Sequence, residues 1–155
     1  MISDVLSHRA EELAAGGESF VTATVVRVEK PTSAQPGNVA LVHEDGTIEG
    51  FVGGVCAQHS VQLYSLKAIE SGEPVLLRIV GDGSESTGTD DPTMVREVDV
   101  RDGAVTVKNP CLSGGSIEVF LEPFLPAPRV VVVGESPIAV ALKRLAPEVG
   151  FEVVG

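Results

Sequence analysis

"GFVGGVCAQHSVQLYSLKAIESG", residues 50–72, is where the chain changes period. Up to Val52 the apolar residues follow a hairpin pattern. After Gly53-Gly54, the residues Val55, His59, Leu63, Leu66 and Ile69 recur at spacings of four, four, three and three. That spacing is one face of an amphipathic helix, and it predicts Val55 and its row toward the core. Ser71-Gly72 with Pro74 just beyond is a stop signal, and the apolar "PVLLRIV" that follows reads as a short strand.

Outward from this stretch, "NVALVHEDGTIEGFV" (38–52) is a hairpin turning at Glu44-Asp45-Gly46. "KPTSAQPG" (30–37), with two prolines and a glycine, is a loop. "FVTATVVRVE" (20–29) is a β-branched strand. Val21, Ala23 and Val25 point one way, and Phe20, Thr22, Thr24, Val26 and Val28 the other. Apolar residues on both faces predict a largely covered strand. "SDVLSHRAEELAAGG" (3–17) is a short helix capped by Ser3 or Asp4 and ended by Gly16.

Downstream, the acidic "GDGSESTGTDDPT" (81–93) is predicted to be a mobile surface loop. "MVREVDVRDGAVTVKN" (94–109) is a second hairpin turning at Asp102-Gly103, and "SIEVFLEP" (116–123) is a further strand. The last segment, residues 130–155, has an apolar strand, a turn, a helix from Pro137 and a second apolar strand. It reads as the opening β-α-β of a parallel doubly wound sheet.

The predicted fold class is therefore α/β. Residues 1–122 form a mixed-sheet α+β domain, 123–129 a proline-rich linker, and 130–155 the beginning of a truncated Rossmann-like domain. A parallel pair with one helix cannot bury both faces. The expectation is a piece of a longer protein, or a half that docks on another chain, including a second copy as a homodimer.

The chain has 155 residues, 43% of them hydrophobic, 4% aromatic and no tryptophan. Its core must be built mainly from Val, Leu, Ile and Ala. A net charge of −11 argues against nucleic acid, whose phosphates need a positive surface, and against anionic membranes. "MISDVLSHRAEEL" carries charges throughout and no apolar secretory core, and no run approaches the ~20 apolar residues of a membrane span. The expectation is a cytoplasmic protein. Its two cysteines could pair, but a chain this apolar needs no staple, and reduced thiols are expected.

Those cysteines carry the chemistry. Cys56 follows Gly53-Gly54 at a predicted helix start, where unpaired N–H groups and the helix dipole favour a thiolate, below the free pKa of ~8.5. His59, three residues on, shares that side of the first turn. Cys111 precedes Gly114-Gly115, and successive N–H groups in glycine turns can bind anions. Read together, these are two thiols flanking a pocket for an anionic, sulfur- or metal-containing ligand. Read apart, the cysteines are small packed hydrophobes and His59 a hydrogen-bonded core residue. A zinc site from Cys56, His59 and Cys111 has three ligands and lacks paired C-x-x-C spacing. His8 and His43 are predicted surface residues. Ser60, Ser113 and Ser136 show no Ser-His-Asp pattern. In "GESPIA" (134–139), Gly134 is present, but Ser136 stands where a dinucleotide turn needs its second glycine. The helix start could hold a phosphate; NAD(P) is not expected.

The motifs "PTSAQPG", "DGTIEGFVGGVCAQ", "SGEPVLLR", "CLSGGSIEVFLEP" and "LPAPRVVVVGESPIAVAL" occur in this order. They resemble the XdhC/CoxF (XdhC/CoxI) family of maturation factors for molybdenum hydroxylases, from roughly Phe20 to the end. The resemblance implies a factor that binds molybdenum cofactor (molybdopterin) and assists its sulfuration or insertion into a xanthine or carbon monoxide dehydrogenase-type enzyme. It thus implies a chaperone more than a catalyst. The implied partners are the apo molybdenum hydroxylase and a sulfurtransferase. The implied cofactor-binding residues are Cys56, Cys111, Gly53, Gly54, Gly114, Gly115 and His59, with the metal met by Cys56 and Cys111 through the cofactor. In many relatives the 31–37 loop carries a basic residue before its Pro-Gly; here that place is Gln35. Two other readings stand beside it: a nucleotide-dependent oxidoreductase using Gly134 and Ser136, and a non-catalytic interaction module.

Overall fold

The computed structural model describes residues 2–81, 96–109 and 114–155. The acidic 82–93 stretch and Cys111 lie outside the described residues. Two compact units divide at Leu125/Pro126.

The first unit is a mixed sheet with a helix on each face. Helix α1 (Ile2–Ala15) leads into strands β1 (Phe20–Glu29), β2 (Val39–His43) and β3 (Ile48–Gly50). Helix α2 (Val55–Ser71) follows, then β4 (Val75–Gly81), β5 (Arg96–Arg101), β6 (Ala104–Asn109) and β7 (Ser116–Phe124). The order across the sheet is β3-β2-β1-β7-β4-β6-β5, and only the β4–β6 pair is parallel. Both predicted hairpins form. Asp102 and Gly103 take positive φ, 46° and 80°, as a two-residue turn between twisted strands requires. Helix α1 begins at Ile2, so Ser3 and Asp4 lie inside its first turn instead of capping it. β7 continues through Pro123 to Phe124, two residues into the stretch read as linker.

The main core lies between α2 and the sheet. Val21, Ala23, Val25, Ala40, Val42, Leu77, Ile79, Val107, Ile117, Val119 and Leu121 supply the sheet side. Each fully buried Val, Leu or Ile side chain contributes about 1.5–3 kcal/mol relative to an exposed one. Val28 packs against this cluster too, although strict alternation from Phe20 puts it on the opposite face. A register shift between Val25 and Arg27 explains this: the extra residue at Val26 flips every side chain after it. On the other face, α1 covers β1 and β2 with Leu6, Leu13, Phe20 and Leu41.

Helix α2 starts and stops where predicted; Gly72 is left-handed (φ 73°) and its N–H returns to the Ala68 carbonyl. Its buried face is a different one. Ala57, Ser60, Val61, Tyr64, Ser65 and Ala68 face the sheet, whereas Val55 is 76% exposed and Leu63 and Leu66 are partly so. Small side chains let the helix axis approach the sheet closely, and the larger apolar ones are left outside. Midway along the helix, the Tyr64 hydroxyl donates to Glu97 Oε1 (2.5 Å). Burial, then this bond, pushes the Tyr64 phenol well above its usual range. Ser65 is fully buried, and its hydroxyl has no hydrogen-bond partner. Ser65→Ala should therefore stabilise the protein by about 1 kcal/mol, since the variant removes an unpaired buried hydroxyl and alanine favours helix. The urea midpoint should rise with an unchanged slope.

The second unit is the short βαβ element. β8 (Arg129–Val131) and β9 (Glu152–Val154) pair in parallel around α3 (Pro137–Leu145). Among the described residues, no helix is long and apolar enough to cross a membrane.

Candidate functional site at the carboxyl edge of the sheet

Strand directions bring the candidate residues to one edge. Glu29, the end of β1, pairs with Ser116, the start of β7; Ser116 pairs with Val80, and Gly81 at the end of β4 pairs with Asn109 at the end of β6. β1, β4 and β6 thus all finish at the same edge. Helix α2 begins there as well, fixed by Asn109, whose Nδ2 donates to the Cys56 carbonyl (2.9 Å) and to Ser60 Oγ (3.1 Å). The Ser60 hydroxyl in turn donates to the Cys56 carbonyl at 3.4 Å. In α/β sheets, ligands are held outside the carboxyl ends of the strands.

The glycines shape this edge. Gly53 has φ 131°, and a Cβ there would lie 2.9 Å from Ala57 Cβ and 3.7 Å from Ala34 Cβ. Gly115 has φ 72°, and a Cβ would meet the carbonyl oxygens of Glu29, at 2.6 Å, and Pro31. The two Gly-Gly turns are therefore packed against the 30–37 loop from both sides. Gly114 faces the ring of Pro31, and Gly54, which caps α2 without any side-chain bond, has open space at its Cβ position. Ala34 is buried within the main core, so the loop after β1 is built into the edge.

Of the predicted residues, Gly53, Gly54, Cys56, Gly114 and Gly115 come together here, and Cys111 lies outside the described residues. His59 is half-buried on α2. Cys56 departs from expectation: it is disulfide-bonded, not a free thiol. The chain's one other cysteine is Cys111, and no cysteine is free among the described residues. Activation of a Cys56 thiolate by the helix start and His59 has no thiol to act on in this state. Among the described residues, no cluster of three metal-ligating side chains forms.

Asn109 and Ser60 hold the start of α2 at this candidate edge, a structural part that the reading of the chain missed. Asn109 stands before Pro110 at the end of a strand pattern and looks like a turn residue, yet it is fully buried. His43 is a second correction. Its side chain is only 15% exposed, and Nε2 lies 2.7 Å from Glu49 Oε1, which also accepts from Arg9 Nε at 3.3 Å. Burial pushes Glu49 up, but the bonds from His43 and Arg9 outweigh it and hold the carboxyl below its usual range. This trio pins α1 to β2 and β3, away from the candidate edge. In the second unit, Ser136 Oγ caps α3 by accepting from the Ala139 N–H (3.2 Å). Gly134 takes φ 94°.

Residues 13–80 match the XdhC and CoxI family. The resemblance read from the motifs is shown over this stretch, which runs from the end of α1 through Gly53, Gly54 and Cys56 to β4. A crystal structure of a xanthine dehydrogenase from Bacillus halodurans aligns with a TM-score of 0.49 at 21% identity, over 91% of this chain and 34% of that one. The chain thus spans about a third of the length of that structure. No curated protein matches.

Proposed function

We propose that this chain is an accessory factor for a xanthine or carbon monoxide dehydrogenase-type enzyme. It binds molybdenum cofactor at the carboxyl edge of the first unit's sheet and assists its sulfuration or its insertion into the apo-enzyme. The observation that carries this reading is the convergence of Gly53-Gly54, Cys56 and Gly114-Gly115 on one sheet edge, with the first three inside the segment that matches the XdhC and CoxI family.

The residues present fit such a group in one redox state. The open space at Gly54 and the uncapped start of α2 leave backbone N–H groups for a phosphate. Cys56, once reduced, offers soft sulfur suited to a metal that prefers such donors. When bound, the cofactor would supply the dithiolene-held metal on which sulfuration occurs. The chain's own part is to hold and shield it; Asn109 and Ser60 fix the turn that presents Cys56. The apo-hydroxylase and a sulfurtransferase are the partners this role requires.

The test is retention of pterin by the full chain, purified under reducing conditions after co-expression with the molybdenum cofactor pathway. The wild type should carry oxidisable pterin, and Cys56→Ala should lose at least tenfold with an unchanged melting profile. A wild type without pterin, or an alanine variant that keeps it, would sink the reading.

A further inference from the structure

We propose that the outward face of α2 is a docking surface for the protein that receives the cofactor, and that this protein presents an apolar groove flanked by basic side chains. Naming the receiver as an apo molybdenum hydroxylase rests on the function proposed above; the surface itself rests on the helix. α2 carries two apolar rows. One, with Ala57, Val61, Tyr64 and Ala68, is buried against the sheet. The other runs Val55, His59, Leu63 and Leu66 in steps of four, four and three, and it points away from the core. Val55 is 76%, Leu63 38% and Leu66 36% exposed, and His59 is half-buried. A helix that is apolar on opposite faces is satisfied only when both are covered. A contiguous exposed apolar stripe marks an interaction site, unlike single scattered residues. Anchors at this spacing are how a helix seats in a partner's groove.

The charge pattern selects what covers the stripe. Between Glu49 and Lys67 the chain has no Asp, Glu, Lys or Arg, its longest such run. Depletion of charge at the centre is the compositional mark of a protein interface. The flanks are acidic. Gln62, beside the stripe, donates to the Gly46 carbonyl at 2.9 Å and so holds the exposed Glu44-Asp45 turn against it. Exposed Glu70 continues the row by one turn, with exposed Glu73 beyond. Lys67 is paired with Glu97 at 3.1 Å. Residues 126–155 contain three basic and three acidic side chains, so the net charge of −11 belongs to residues 1–125. A second copy would set acidic flank against acidic flank. A groove edged by Lys and Arg complements both the stripe and its flanks. Val55 directly precedes Cys56, so a protein seated on the stripe abuts the candidate edge.

The experiment uses the full chain and the apo form of a xanthine dehydrogenase-type hydroxylase, purified from cells that make no molybdenum cofactor. The two should bind, and raising salt from about 0.05 to about 0.5 M should weaken binding through the on-rate. The double variant Leu63→Gln/Leu66→Gln should bind at least about tenfold more weakly, because glutamine keeps the helix and removes the apolar anchors. Val5→Gln/Val100→Gln, at exposed positions on α1 and β5, should stay within about twofold of wild type. Hydroxyl-radical footprinting of the wild-type complex should show Leu63 and Leu66 protected and Val5 unchanged; it decides the matter even if the double variant folds poorly.

A folded double variant that binds like wild type, unprotected leucines in the complex, or no binding by the wild type would each overturn the surface. Binding that tightens with salt would overturn the basic flanks. A wild-type dimer that the double variant turns into monomer would assign the face to a second copy and overturn the proposed partner. Pterin retention, read on the same preparations, separates this from the cofactor reading. A chain that docks through the stripe but carries no pterin removes the cofactor and leaves the surface standing; a chain that carries pterin but does not dock loses the surface alone.

Discussion

Gly115→Ala should cost about 4 kcal/mol, the sum of a left-handed backbone penalty of about 1–2 kcal/mol and an overpacking penalty of about 1–3 kcal/mol. The residue sits at φ 72°, and its new methyl would lie 2.6 Å from the Glu29 carbonyl oxygen and closer still to that of Pro31. Both obstacles are main chain, so no side-chain rotation can relieve them. Against a typical total stability of about 5–15 kcal/mol, this is a severe loss. Gly54→Ala is the control. That position has a negative φ of −70° and nothing within 4 Å of its Cβ site, and its change should stay within about 1 kcal/mol. Denaturant unfolding of the pair measures the difference. A Gly115→Ala protein as stable as Gly54→Ala would mean that the turn is not held against the loop after β1.

Asn109→Ala should cost about 3 kcal/mol. It leaves the buried Ser60 hydroxyl and the Cys56 carbonyl short of a donor and opens a small void. Amide exchange should quicken in the first turn of α2 before it does elsewhere. Asn109→Asp gives the same site a pH signature. A carboxylate facing the Cys56 carbonyl is disfavoured, so its folded-state pKa is raised above the ~3.9 of a free aspartate. The protonated acid can donate; the anion cannot. Relative to wild type, the variant should be most stable below pH ~4 and lose stability as pH rises through the raised pKa. A variant equally destabilised at pH 4 and pH 7 would show that the side chain does not donate to that carbonyl.

What could be read from the chain divides along a physical line. Element boundaries written in backbone chemistry were legible: Gly72 as a left-handed stop, Asp102-Gly103 as a turn, and Pro137 as the first helical residue after Ser136. The face that α2 buries was not. Periodicity weighs large apolar residues, and Val55, Leu63 and Leu66 drew the pattern outward, while the true contact row is built from alanines, serines, Val61 and Tyr64. The Val26 bulge was invisible because both registers of β1 place valines on a face. The parallel pairing of β4 with β6 depends on contacts that no local pattern records. At the candidate edge, the glycine pairs signalled themselves. Asn109 did not, because its role comes from the helix that lands on it. The paired state of Cys56 ran against the composition, which argues only about whether a staple is needed.

β5 ends the sheet on one side, and four of its six residues, Arg96, Glu97, Asp99 and Arg101, are charged. Its pairing with β6 is broken by a register shift between Glu97 and Asp99. An open strand border ordinarily invites another chain to add on, the first event in fibre growth. Here an incoming strand would meet alternating charge and a kinked hydrogen-bond ladder. At the opposite border, β3 offers only Ile48–Gly50, too short a template to nucleate. Among the described residues, the seven-stranded sheet thus offers a poor template at either margin, and concentrated solutions of the chain should resist amyloid-type precipitation even though its interior strands are rich in valine.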